Sequence, residues 1–315
     1  MSGKTEVLGR LAARDVNSLA GQSTTESDRA DREATVHRLI KELHIPIMSA
    51  GPTMMKMVKF LQDSDLTINF TVFKFFNKVP RGKTYDNQFG SGQKWGDASY
   101  LKSRDEAEEA MFDFANVKRG GGNVVPQPVL ARIKKFGQFD TNPVDFEAIS
   151  RPKYAALNFT RDANGAASQW GKSFFVLKTY IKHNCTFVET DSFAFLGKAS
   201  ATAQNHVATF MDMIRLVRYI NPNMLEALYN AMRGLPTTGF HYGGTNYIES
   251  HLHGEIKFSR DIEKIVVSKA ELSDSALKSA ATTFPKYLKQ VDEKTVRKNI
   301  DTFATKHGIT VDYID

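Results

Sequence analysis

Glu249, His251 and His253 fall at two-residue intervals in the stretch GGTNYIESHLHGEIKFSRDIEKIVVS, residues 243–268. In an extended strand, side chains two apart share a face. These three would stand together, while Ile248, Ser250 and Leu252 point the other way. A carboxylate placed this way can move a proton or stabilise a developing positive charge. The same sidedness describes an exposed strand with a solvated polar face, so spacing alone does not separate catalysis from surface chemistry. The histidines also invite a metal, with Glu249 or Glu255 as oxygen ligands. His241 stands nearby behind glycines, no second His/Cys/Asp cluster completes a site, and no metal is predicted.

Other reactive residues point to bland roles. The single cysteine, Cys185, lies in an apolar CTFV run, which favours packing over nucleophilic catalysis. One cysteine also excludes an intramolecular disulfide and a thiolate metal cluster. No GxSxG elbow supports serine hydrolysis. Gly120, Gly121 and Gly122 lack both the Rossmann spacing and the Lys-Ser/Thr ending of a phosphate loop, so this segment reads as an ordinary loop. The 42 Lys and Arg against 35 Asp and Glu leave a formal charge of +7. That excess favours encounter with an anionic ligand without naming one. The basic residues occur singly or in pairs, as in Lys118-Arg119 and Lys134-Lys135, and no stable nucleic-acid partner is predicted.

The elements that must position these groups follow from periodicity. Residues 1–35 are polar and small at the start and read as a flexible N-terminal tail, with a helix entered near Ala34–Leu43. LTINFTVFKFF, residues 66–76, reads as a strand. The glycine-rich 80–97 reads as an exposed loop, and Ser103 with Glu106 reads as the capping box of a new helix. YAALNFT, SFFVLKTYI and CTFVETDSFAFL predict strands separated by turns. Between Ala201 and Arg233 the period becomes helical, broken at Pro222. Strands follow near Tyr247–Leu252 and Ile262–Val267, and then a polar helical tail. Strands in the middle with helices around them predict an α+β fold. Its main domain would span residues 36–275, with 276–315 a helical extension packed on the same domain.

YIESHLHGEIKFSRDIEKIVV resembles the catalytic end of ADP-ribosyltransferases, in which a carboxylate follows an aromatic residue and precedes a strand, a turn and a second strand ending in an apolar run. With RPKYAALNFTRDANGAASQWGKSFFVLK, CTFVETDS, LTINF and TYDNQFGSG, the chain also resembles an uncharacterised bacterial domain family, numbered 3626 among domains of unknown function. It is similar as well to transferase effectors of Legionella type. The resemblance covers residues 66–268 with gaps.

The resemblance implies a split, mostly antiparallel β-sheet core of ADP-ribosyltransferase type with surrounding helices. It further implies NAD as substrate, release of nicotinamide, and transfer of ADP-ribose to a target protein, with arginine a family acceptor. Glu249 would stabilise positive charge at the anomeric carbon, and Ser173 would orient Glu249 or a ribose. Arg151 or Arg81 would hold the NAD diphosphate through its donor fork. Arg151 lies only 22 residues before Ser173, short for the first two markers of such a site, and the choice stays open. Tyr154 and Asn158 would surround nicotinamide, and Tyr85, Gln88 and Ser91 would curve around the cofactor. Alternatives are NAD hydrolysis with water as the acceptor, a non-enzymatic protein-interaction domain, and phosphate or RNA binding through basic loops. Without a signal-peptide core or an 18-residue apolar run, the sequence predicts no transmembrane segment. It fits an intracellular, cytoplasmic protein or one delivered to a host cytosol by a specialised secretion system.

Overall fold

Short runs in which apolar side chains alternate with polar or small ones dictate strands, and ten of them form among the described residues. In the computed structural model, the described residues are 26–86, 98–112, 152–198, 200–210, 212–253, 255–283 and 291–315. The strands are β1 Asp65–Phe70, β2 Thr84–Tyr85, β3 Lys153–Asn158, β4 Ser173–Leu177, β5 Cys185–Val188, β6 Ala208–Thr209, β7 Glu249–Leu252, β8 Ile256–Lys257, β9 Ile262–Ser268 and β10 Thr310–Ile314. Eight of them hydrogen-bond in the order β10-β9-β4-β1-β3-β7-β5-β6, and β2 with β8 forms a separate two-stranded ribbon. The β9–β10 pair is parallel, and the other pairs are antiparallel. The result is a mixed α+β fold with a large, mostly antiparallel sheet.

Helices flank that sheet: α1 Glu26–Leu43, α2 Ile47–Asp63, α3 Val72–Phe76, α4 Ala98–Phe112, α5 Ser200–His206, α6 Ile214–Tyr219, α7 Pro222–Met232, α8 Phe258–Asp261, α9 Lys269–Leu272, α10 Asp274–Thr283 and α11 Glu293–His307. Among the described residues, no helix is long and apolar enough to cross a membrane.

Strand register sorts the two faces. Thr67 pairs with Ala156 and Ala156 with Glu249, so these residues share a face; Thr67 also pairs with Val176. Tyr154 opposes His251, and Thr186 opposes His251 from the other side. The opposite face carries Leu66, Ile68, Phe70, Leu157, Phe175, Phe187, Leu252, Ile265 and Val267. These join side chains of α2, α6, α7 and α11 in one apolar core. The core therefore presses on one side, and across β3, β7 and β5 the other side is left for polar groups.

Several expected elements end differently. The strand from Leu66 stops at Phe70, and VFKFF coils into α3. Glu271 accepts from Val72 N at 3.2 Å, and Phe75 and Phe76 turn onto Phe303 at ring distances of 6.0 and 5.4 Å. Tertiary anchoring overrides the β-branched and aromatic propensity there. Ser103 lies inside α4, which begins at Ala98 and buries Arg104, Ala107, Glu108 and Met111 along one helical stripe. Ser103 therefore caps nothing. SFFVLKTYI divides into β4 and a 3₁₀ turn over Thr179–Asn184, and SFAF forms another 3₁₀ turn.

Pro222 does mark a boundary: it opens α7, with Asn221 capping Met224 N at 2.9 Å. The C-terminal segment is more than a helical tail. α11 contributes Val296, Ile300 and Phe303 to the core, and β10 extends the sheet beside β9.

Candidate functional site

Glu249 opens β7 on the polar face and is only 3% exposed. Its Oε1 accepts from Ser192 N at 3.1 Å and meets His251 Nε2 at 3.0 Å, while Oε2 accepts from the Tyr247 hydroxyl at 3.1 Å. Burial alone would raise the carboxyl's proton affinity. Hydrogen bonding and charge from His251, the Arg104 guanidinium and Ser192 outweigh it and hold the group below the usual glutamate range. Glu249 is therefore a buried but ionised carboxylate.

A chain of polar groups runs away from it. With His251 Nε2 donating to Glu249, His251 Nδ1 faces the Thr186 hydroxyl at 3.4 Å, and that oxygen meets His253 Nε2 at 2.8 Å. The sequence pattern put Glu249, His251 and His253 on one face, and Thr186 of the neighbouring strand joins the two imidazoles. Phe112 of α4 stands edge-on to both, at 5.1 and 5.4 Å. Among the described residues, no group of three or more His, Cys, Asp or Glu is placed to hold a metal ion.

The roof of the site is α4 with the turn after β5. The Arg104 guanidinium lies between the Tyr154 ring, 4.2 Å away, and the Phe193 ring, 3.9 Å away. Such stacking suits a planar, weakly hydrated cation. Its Nη1 donates to Ser192 Oγ at 2.5 Å. The Tyr154 hydroxyl donates to Glu108, one helical turn after Arg104. Burial, with the Glu108 charge, pushes the Tyr154 phenol well above its ordinary range.

Asp191 caps the 3₁₀ turn through Phe193 N at 2.9 Å, and its other oxygen accepts from Tyr247 at 2.9 Å. Burial and the nearby Glu249 charge raise its proton affinity. One phenol thus lies between two carboxylates with opposite tendencies.

Of the residues proposed from sequence, the structure brings Tyr154 to Glu249's surroundings. Ser173 does not join them. Pairing with Phe70 puts it on the apolar face, and its hydroxyl donates to Glu271 at 2.8 Å while accepting from Ser268 N at 3.0 Å. The expectation that Ser173 orients Glu249 is corrected by the two-residue strand period, which sends the two side chains to opposite faces.

Asn158 holds the turn after β3, exchanging hydrogen bonds with the Asp162 backbone at 2.9 Å. Tyr85 packs near Phe75, Phe175 and Phe258, each at 6.4 Å, and burial pushes its phenol up to about 12. Arg81 is exposed, and its carbonyl accepts from Lys306 at 3.3 Å. Arg151, Gln88 and Ser91 lie outside the described residues. Cys185 is buried, with its thiol donating to the Ile181 carbonyl at 3.2 Å.

Arg104, Glu108, Asp191 and Ser192 were not singled out from sequence. CTFVETDS carries part of the resemblance, and of its last two residues Ser192 donates its N–H to Glu249 while Asp191 accepts from Tyr247. Arg104 and Glu108 carried only an i, i+4 spacing, which is common on solvated helices.

No curated protein matches the chain. Residues 79–214, which carry Arg104, Tyr154, Asp191 and Ser192 and stop before Glu249, match the family model described as "Protein of unknown function (DUF3626)".

Proposed function

We propose that this protein cleaves the nicotinamide–ribose bond of NAD and passes ADP-ribose to a protein side chain, with arginine as the acceptor. The observation that carries this reading is a buried carboxylate at the YIE edge, hydrogen-bonded to Ser192 N, Tyr247 and His251 beside aromatic rings and a guanidinium. Departure of nicotinamide takes the bonding electron pair with it and leaves positive charge on the ribosyl carbon. A preorganised carboxylate in a poorly solvated place stabilises that charge without reorganising. The acceptor then forms the new bond to the same carbon and gives up a proton. On this proposal the eight-stranded sheet is a variant of the split transferase sheet, with Glu249 on an interior strand.

Catalysis on Glu249 requires access, and α4 covers it here. Arg104, Glu108 and Phe112 would withdraw together, opening the polar face to the nicotinamide ribose. The contrasting role is a buried clamp that fastens β7 to the turn at Ser192.

The test is nicotinamide release and mass gain on an arginine-rich protein substrate, wild type against Glu249→Gln. The variant should fold, shown by an unchanged near-ultraviolet dichroism spectrum, and should release nicotinamide about 10²-fold or more slowly. Equal release by a folded variant would contradict the proposal. Release without labelled protein would assign water as the acceptor.

A further inference from the structure

We infer that Asp191 takes the proton from the incoming acceptor and that Tyr247 couples it to Glu249; this rests on the glycosidic cleavage proposed above. The geometry begins with a shortage of hydrogens. Tyr247 has one hydroxyl hydrogen, yet its oxygen lies 2.9 Å from Asp191 Oδ2 and 3.1 Å from Glu249 Oε2. With both carboxylates ionised, the phenol serves one and leaves the other facing its lone pairs. One added proton on Asp191 completes the chain: Asp191 O–H donates to the phenol oxygen, and the phenol donates to Glu249. The site is thus arranged to accept one more proton.

Asp191 is the member placed to receive it. It is half-buried, whereas Glu249 is almost fully enclosed. Its second oxygen is already fixed by Phe193 N, so the oxygen facing Tyr247 is the one that gains the proton. The charged and titratable groups around the pair are Arg104 and Glu108 from α4, Tyr154 from β3, and Tyr247, Glu249 and His251 from the β7 segment. Glu189, two residues before Asp191, is instead turned to His206 at 2.5 Å.

The step balances. The bond between the ribosyl carbon and nicotinamide breaks with its electron pair on nicotinamide. The acceptor's lone pair forms the new bond, and its proton passes to Asp191. A base whose proton affinity lies nearer the working pH is the more effective one, and burial, with the Glu249 charge beside it, moves Asp191 in that direction.

Two measurements test this, one of them independent of activity. Carboxyl ¹³C titration of the full chain should show Asp191 titrating above the ordinary aspartate range, with the shift reduced in Glu249→Gln and changed in Tyr247→Phe. In assays with NAD, Asp191→Asn should slow turnover about 10²-fold and flatten the acidic limb of its pH profile. Azide, an anionic nucleophile with no proton to lose, should restore nicotinamide release and form ribosyl azide with Asp191→Asn. It should not do so with Glu249→Gln. An ordinary Asp191 titration that ignores Tyr247 and Glu249 would overturn the shared-proton arrangement. So would unchanged turnover by Asp191→Asn, or a loss that azide does not restore. A wild type that releases no nicotinamide would instead overturn the underlying reaction, and with it the catalytic task of Asp191.

Discussion

Ser173 and Glu249 are both buried polar strand residues, yet they serve different faces of the sheet. Ser173 connects Glu271 to Ser268 N, and Glu271 also accepts from Lys172 N at 2.9 Å and Val72 N at 3.2 Å. Ser173→Ala should therefore cost about 1–3 kcal/mol, read from urea unfolding, because a buried amide and a carboxylate each lose a partner. Nicotinamide release should be unchanged in that variant. The acid limb of stability belongs to the other face. Glu249's folded proton affinity lies below the usual glutamate range, so its contribution is present above that range and is lost as pH falls through the folded value. Asp191 acts in the opposite sense: its folded value is raised above 3.8, so its contribution is present below that pH and fades as pH rises through the folded value. Asp191→Asn removes the second contribution and leaves the first. It should therefore lose more stability than the wild type as pH falls from about 5 to 3.

At the scale of elements, α4 decides whether the polar face is open. Phe112 is fully buried against His251 and His253, so Phe112→Ala should destabilise the chain by about 3–5 kcal/mol if α4 unfolds only with the whole. If α4 opens by itself, as the proposed reaction requires, the same variant should speed amide exchange in residues 98–112 far more than in β3 or β7. The turn before β4 is the rigid counterpart. Gly171 has φ +138°, and a Cβ there would collide with the Phe70 carbonyl. Gly171→Ala should cost at least about 3 kcal/mol in thermal or urea unfolding, since strain and overlap add. Sequence made the interior strands legible because YAALN, SFFVL and CTFV each bury nearly every residue. It did not show where β1 ended, because Glu271, distant in sequence, anchors the start of α3.

For the whole molecule, the two faces of the sheet differ, with the main core on one and a small Phe174–Val176–Val266 cluster on the other. Apolar packing from α1, α2, α6, α7 and α11 fills one face of the sheet, and the polar face carries the candidate site. The C-terminal segment belongs to the first of these. Phe303 packs on Phe75, Phe175 and Phe258 at 6.0, 6.4 and 4.9 Å, and β10 covers the outer edge of β9. Deleting residues 291–315 should abolish cooperative unfolding, seen as a lost thermal transition and lost near-ultraviolet dichroism. Alternation in TVDYI carries the signal for β10, but its pairing partner lies more than forty residues back in β9. The site was half legible for a similar reason. Two-residue spacing reveals Glu249 with His251, whereas Arg104 and Asp191 arrive through long-range packing that no local pattern encodes.

A crystal structure with a non-cleavable NAD analogue would show whether Glu249 meets the nicotinamide ribose. A ribose hydroxyl should lie within about 3.2 Å of a Glu249 oxygen, with α4 displaced from Tyr154 and His251. An analogue bound elsewhere while Arg104, Phe112 and Glu249 keep their present contacts would contradict it.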